Sequence, residues 1–284
     1  GANLSDTFEF IGQNFKPMVY SFFAISGIFI LLQAITNGVF QSRIFSGLGF
    51  GGNMQHRNVL ILGNLYDQYF SPIFFLFLFF AWLAYVAMQV CIGAYMKYYD
   101  EHDSAKAGIE DVWHLFVQYY LKVLIFTLPI GLIILTGCLF CLLPGIYLWV
   151  VFAPFPFIVM MEDASLGETI QRCFELIRQN FWISLGIYIV TTLIYSFASA
   201  ITGFIIGVVS GLLTYLTTRD LSATIGIVTS VLRVFGFLFY IIFLVSVMLH
   251  YFNLVERRDA TGMMRRIDQI GGQPDDGLET AEQY

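Results

Sequence analysis

The chain has 284 residues, of which 58% are hydrophobic, 18% aromatic and 12% charged, and its formal net charge is −6. Its mean hydropathy is +0.74. A soluble domain carries about 25% charged and 45–50% apolar residues, so this composition cannot cover a water-facing surface and excludes both a soluble enzyme and a disordered chain.

The reading is an all-α polytopic membrane protein in a lipid bilayer, with no basic patch to suggest nucleic acid. A helix needs about 20 apolar residues to cross the hydrocarbon core. Six stretches meet or approach that length: 17–40, 71–95, 121–143, 146–161, 183–213 and 222–255. No charged segment precedes the first stretch and no small-residue cleavage site follows it, so a cleaved secretory signal is not expected. The fourth stretch is short and holds Pro154 and Pro156, which remove two backbone donors and should kink or break the helix. The fifth and sixth are long enough to tilt or to leave the membrane.

Lysine and arginine counts give the orientation. Lys16, Lys97, Lys106, Lys122, Arg172, Arg178, Arg257, Arg258, Arg265 and Arg266 fall on one side. Arg43, Arg57, Arg219 and Arg233 fall on the other. Both termini are therefore expected in the cytoplasm, with residues 1–256 forming one membrane domain and 257–284 a polar tail.

An internal repeat is in phase with these spans. Residues 8–15 read Phe-Glu-Phe-Ile-Gly-Gln-Asn-Phe and residues 174–181 read Phe-Glu-Leu-Ile-Arg-Gln-Asn-Phe, identical at six of eight positions. A weaker copy, Trp113 to Tyr120, keeps the aromatic ends and Gln118. In the third copy Leu166, Ile170, Cys173, Phe174, Ile177 and Phe181 recur at helical spacing, with Glu168, Gln171, Arg172, Glu175 and Arg178 opposite. That pattern reads as an amphipathic helix in the membrane interface, capped by Ser165 with Glu168 three residues on. The expected unit is an interfacial helix followed by a transmembrane hairpin, repeated over about 4–95, 105–161 and 164–255. Gln13, Asn14, Gln118, Gln179 and Asn180 are then the junctions, with Asn14 and Asn180 at equivalent bends where an amide bonds freed backbone groups.

The run Leu143-Pro144-Gly145 through Ala153-Pro154 to Glu162-Asp163-Ala164-Ser165-Leu166, and then Phe174-Glu175-Leu176-Ile177-Arg178-Gln179-Asn180-Phe181-Trp182, resembles a broad superfamily of bacterial six-span proteins. That superfamily includes the membrane domain fused to some glycerophosphodiester phosphodiesterases and several uncharacterised families. The opening, Leu4 to Pro17, looks like a Bacteroidetes-type member. The resemblance implies a bacterial inner-membrane protein with this fold. It carries over no catalytic residue, because the phosphodiesterase barrel is a separate module larger than this chain can hold. Typical relatives have a Ser-Trp pair where Cys173-Phe174 stands here.

The remaining motifs read as structure. Gly47 to Gly52 fits GxGxxG but lacks the βαβ setting that a dinucleotide site needs. Cys138-x-x-Cys141 lacks two further metal ligands and reads as packing. His56, His102, His114 and His250 show no metal-site spacing, and His250 reads as a mark of the interface. Lys122 and Arg233 lie near span ends and can snorkel. Gln33 and Gln89 are the main polar groups at depth, and interhelical hydrogen bonds are expected for them. Gly203, Gly207 and Gly211 put three glycines on one face of the fifth span, where another helix can approach closely. No nucleophile–base pair, metal site or cofactor site is expected. The function expected from this set is non-enzymatic: a scaffold or subunit of an envelope membrane complex with membrane-protein partners. The alternative is a transporter or lipid-handling protein.

Overall fold

The computed structural model describes residues 2–47, 69–102, 106–140, 142–218 and 221–259. All regular elements among them are helices. They are α1 (Ala2–Gly47), α2 (Pro72–Glu101), α3 (Ile109–Phe140), α4 (Leu142–Phe152), α5 (Phe155–Met161), α6 (Leu166–Ile177), α7 (Phe181–Thr218) and α8 (Leu221–Asp259). Six membrane-crossing candidates result: α1, α2, α3, α4 together with α5, α7 and α8. They coincide with the six apolar stretches, and the protein is an integral membrane protein by this criterion.

Local chemistry sets the helix ends. Ser71 caps α2, accepting from the Phe74 N–H at 3.3 Å, and Pro72 supplies a first-turn residue that needs no donor. Gly108 donates its N–H to Asp111 at 2.9 Å, and Glu110 and Asp111 place negative charge at the start of α3, where the helix dipole favours it. The fourth span breaks where the prolines predict: α4 stops at Phe152, Ala153 and Pro154 turn, and α5 restarts at Phe155. Ser165 caps α6, its N–H donating to Glu168 at 2.7 Å.

The spans form an open sequence of neighbours, α4–α3–α2–α1–α8–α7, with only a small contact returning from α4 to α7. One end carries α6, Lys97, Lys122, Arg257 and Arg258; we call it the basic end. The last residues of α1, α3 and α7 and the first of α2, α4 and α8 lie at the far end. Packing is dense at the basic end. Ala84 and every residue from Val86 to Lys97 of α2 are buried, as are Phe155 to Met160 of α5. Towards the far end the bundle loosens, and past Thr191 no described side chain of α7 is buried.

At the basic end α6 buries Thr169, Cys173, Leu176 and Ile177 and is tied to the end of α8 by charge. Arg172 reaches Glu162 at 3.0 Å and also pairs with Asp259, while Arg258 reaches Glu175 at 3.0 Å. Burial works against the Arg172 guanidinium, but its bonds to Asp259 and Glu162 outweigh that and hold it above its ordinary value. Lys122 bonds the Asp163 carboxylate at 2.5 Å and its carbonyl at 2.9 Å. Asp163 itself has φ 48, a left-handed conformation that aspartate tolerates better than most residues.

These contacts predict an acid sensitivity. The Lys122 hydrogen bond holds Asp163 below the usual carboxylate range, and the Ser165 backbone N–H does the same for Glu168. Groups whose folded pKa is depressed stabilise the fold above the unfolded value and lose that contribution as pH falls through the folded one. The melting temperature in detergent should therefore fall as pH drops through about 4 and below. An Asp163→Asn/Glu168→Gln double variant should show a flatter dependence over the same window. An equally steep profile would remove the assignment.

The junction expectation needs correction. Helix α1 runs unbroken through Gln13, Asn14 and Pro17, and α3 runs unbroken through Gln118. Among the three copies the helix is interrupted only in the third, where Arg178, Gln179 and Asn180 form a turn and the Asn180 N–H donates to the Ile177 carbonyl at 2.9 Å. The reason is visible at Asn14. Its amide donates to the Phe10 carbonyl at 3.2 Å within the same helix, and its oxygen accepts from the Tyr95 hydroxyl at 3.2 Å. Both ends of the carboxamide serve a continuous helix and its neighbour α2. Gln13 bonds only Glu9, at 3.2 Å, and Gln118 and Gln179 are exposed.

Candidate functional site

The far end of the bundle holds a cleft of about 530 Å³ between α1, α2, α7 and α8. Its polar lining comes from all four helices: Asn37 and Gln41, Tyr85, Tyr195 and Ser199, and Arg233 with Tyr240. It exists because the helices diverge above their packed ends. Tyr240 sets the floor, its ring 5.8 Å from Tyr195 and 6.1 Å from Tyr85. Below it a second cavity of about 140 Å³ shares Tyr85 and reaches Gln89, Thr127 and Trp149.

Three groups in this system lack protein partners. Asn37 is 5% exposed and lines the cleft, yet no hydrogen bond holds its carboxamide among the described residues. The Gln89 carboxamide oxygen is buried without a partner. Arg233 has no carboxylate within 4.0 Å among the described residues, and its guanidinium carbon stands 6.0 Å from the centre of the Phe237 ring. Buried polar groups are normally satisfied, and an exception calls for a ligand, water or a functional role. The expected interhelical bonds of Gln33 are corrected too: both its amide atoms are buried and unpaired, as is the Gln89 oxygen.

The glycine face of α7 lies within the chain, but it is not the close approach expected. A Cβ at Gly207 would meet Leu232 at 3.7 Å and Val228 at 4.0 Å; at Gly203 it would meet Leu232 at 3.8 Å, and at Gly211 Val228 at 3.9 Å. These are ordinary contacts with side chains of α8. A close contact of two helix backbones instead joins α1 to α8. A Cβ on Gly38 would lie 2.7 Å from the Gly226 carbonyl oxygen, and one on Gly226 would lie 2.6 Å from that of Gly38. Ser230 crosses the same seam, donating to the Ala34 carbonyl at 2.8 Å. Small residues at four-residue spacing, Ala34-Gly38-Ser42 and Ser222-Gly226-Ser230, carry the signal in sequence.

Two buried polar groups were missed by sequence reasoning. Lys97 is 8% exposed, donating to the Met160 carbonyl at 2.6 Å and the Tyr119 hydroxyl at 3.0 Å, with Glu101 at 3.7 Å. It caps the last turn of α5, where carbonyls lack helical donors and a cation suits the dipole. His250, read as a mark of the interface, is buried in the bundle: it is 4% exposed and 2.8 Å from the Ser184 hydroxyl. Such a pair suggests a nucleophile and base, but Ser184 is fully buried, also donates to the Asn180 carbonyl at 3.0 Å, and lines no described cavity. The bond fastens α7 to α8, as does the one between Thr191 and Ser246 at 3.1 Å.

Lys122 serves Asp163 as described above, and His102 stacks on Tyr98 with ring centres 4.0 Å apart. The glycine-rich run after Gly47, Cys141 and the polar tail beyond residue 259 lie outside the described residues. A scan against family models, a search of curated proteins and a search of solved structures each found no match.

Proposed function

We propose that this chain is a non-enzymatic protein of a bacterial inner membrane that takes a lipid-like molecule from the bilayer into its far-end cleft. The observation that carries the reading is the cleft itself: apolar walls, Asn37 and Arg233 without hydrogen-bond partners among the described residues, and an edge formed by α7, no described side chain of which is buried past Thr191. Ligand sites in membrane bundles lie between helices and combine apolar walls with a few placed polar groups. The basic end faces the cytoplasm, as the lysine and arginine asymmetry favours, so the cleft opens towards the outer leaflet. Helix α6 lies along the cytoplasmic interface. The six-of-eight match between residues 8–15 and 174–181 supports an origin in repeated hairpins and the kinship with the six-span superfamily. In that view only the third copy retains the separate interfacial helix.

Photocrosslinking tests the function. Purified protein in bilayers containing a photoactivatable phospholipid should label residues around Tyr195 and Tyr240, and Ser199→Trp, which fills the cleft, should abolish that label. Uniform labelling of all lipid-facing helices would overturn the reading. A stoichiometric protein partner recovered from native membranes, with no cleft label, would favour the scaffold reading. Orientation has its own check: a cysteine at Gln273 should stay unlabelled by an impermeant reagent outside intact cells, and labelling would reverse it.

A further inference from the structure

We propose that the cleft selects its amphiphile by an anionic phosphate headgroup bound at Arg233. The inference rests on the reading of the cleft as an amphiphile site. Arg233 lies 24 residues before Arg257 on the unbroken helix α8, about 36 Å along its axis. The hydrocarbon core is about 30 Å thick. With Arg257 at one interface, Arg233 therefore stands at the level of the opposite headgroups.

A cation at that level can snorkel to any phosphate, and this one is an exposed side chain that lines the cleft from α8. Its guanidinium lies over Phe237, with no carboxylate of the described chain to neutralise it. The five N–H donors of arginine match phosphate oxygens in a fork. Asn37, nine-tenths buried and unpartnered, faces the same space from α1 and offers both a donor and an acceptor to a polar headgroup. The described lining holds no acidic side chain. Charge, hydrogen-bond capacity and position therefore converge on a phosphate bearing a hydrocarbon tail, the tail lying along the lipid-facing side of α7.

Native mass spectrometry of the purified full chain, titrated with short-chain phosphatidylglycerol or phosphatidylcholine in neutral detergent, tests this. The wild type should favour the anionic lipid by at least about tenfold, which one charge-assisted hydrogen bond can supply. Arg233→Gln should erase that preference while phosphatidylcholine still binds. Asn37→Asp, which leaves Arg233 in place but puts a negative charge in the cleft, should also weaken the anionic lipid selectively. Arg43→Gln, at the same end on α1, should leave the preference intact. Equal loss in Arg43→Gln would reveal a general surface attraction and overturn the proposal. Competition by inorganic phosphate as strong as by the lipid would overturn the lipid assignment in favour of a free anion. Binding of both lipids with no preference would sink this proposal and leave the amphiphile reading standing. Binding of neither would sink both.

Discussion

Lys97→Met is expected to destabilise the protein by about 1.5–3 kcal/mol, the usual worth of a buried hydrogen bond to a charged group. Methionine preserves most of the side-chain length and loses the ammonium. The Met160 carbonyl then loses its lysine donor at the end of α5, and the Tyr119 hydroxyl, on α3, loses its partner on α2. Three helices are held by that one nitrogen, so the loss should not stay local. Tyr119→Phe should cost less, because the lysine still bonds Met160 and sits near Glu101. The two changes together should cost less than their sum, since they share a bond. Thermal unfolding in detergent of the two single variants and the double variant would measure this. Strict additivity would show that the Lys97–Tyr119 bond contributes nothing.

Gly226→Leu should prevent stable folding, whereas Gly207→Leu should weaken it by about 1–3 kcal/mol, the usual cost of overpacking. The difference lies in what a new side chain meets. At Gly207 it meets the ends of Leu232 and Val228, which can turn aside. At Gly226 it meets the backbone of Gly38 and the Cβ of Ser42, and neither can move without moving α1. Even Gly226→Ala should be worse than Gly207→Ala. Val208→Leu, at a side chain 55% exposed, should be nearly neutral. Equal melting temperatures for the Gly226 and Gly207 alanine variants would show that the α1–α8 seam is looser than drawn.

The spans were legible because bilayer thickness imposes a length and composition that no tertiary contact needs to supply. Pro154 and Pro156 were legible for the same kind of reason: a missing N–H acts on its own helix. The cap of Ser165 by Glu168 spans three residues and needs nothing distant. What escaped was set between helices. Asn14 and Asn180 share a local motif, yet one bonds Tyr95 on α2 and the other sits in a turn. The Gly203-Gly207-Gly211 row is conspicuous in sequence, while Gly38 and Gly226 are single glycines whose small neighbours are alanine and serine. Arg233 read as an interfacial cation, and only the arrangement of four helices shows that it borders a cleft with Asn37. Lys97 gave no sign in sequence of its burial, because its partners come from α3 and α5.

The seam between α1 and α8 also constrains how the protein is made. Ala34 and Ser230 are 196 residues apart, so the first span is synthesised long before the last. At about 5–20 residues per second, the small-residue face of α1 waits on the order of 10–40 s for its mate. During that interval α1 has α2 beside it, joined by the Ser26 hydroxyl to the Ala87 carbonyl at 3.1 Å, but its Gly38 face lies bare to lipid or to whatever helix passes. A nascent chain arrested before Ser222 would present that face indefinitely, open to an insertion factor or to the same face of another stalled copy. Release of α8 is then the step that ends the exposure of α1.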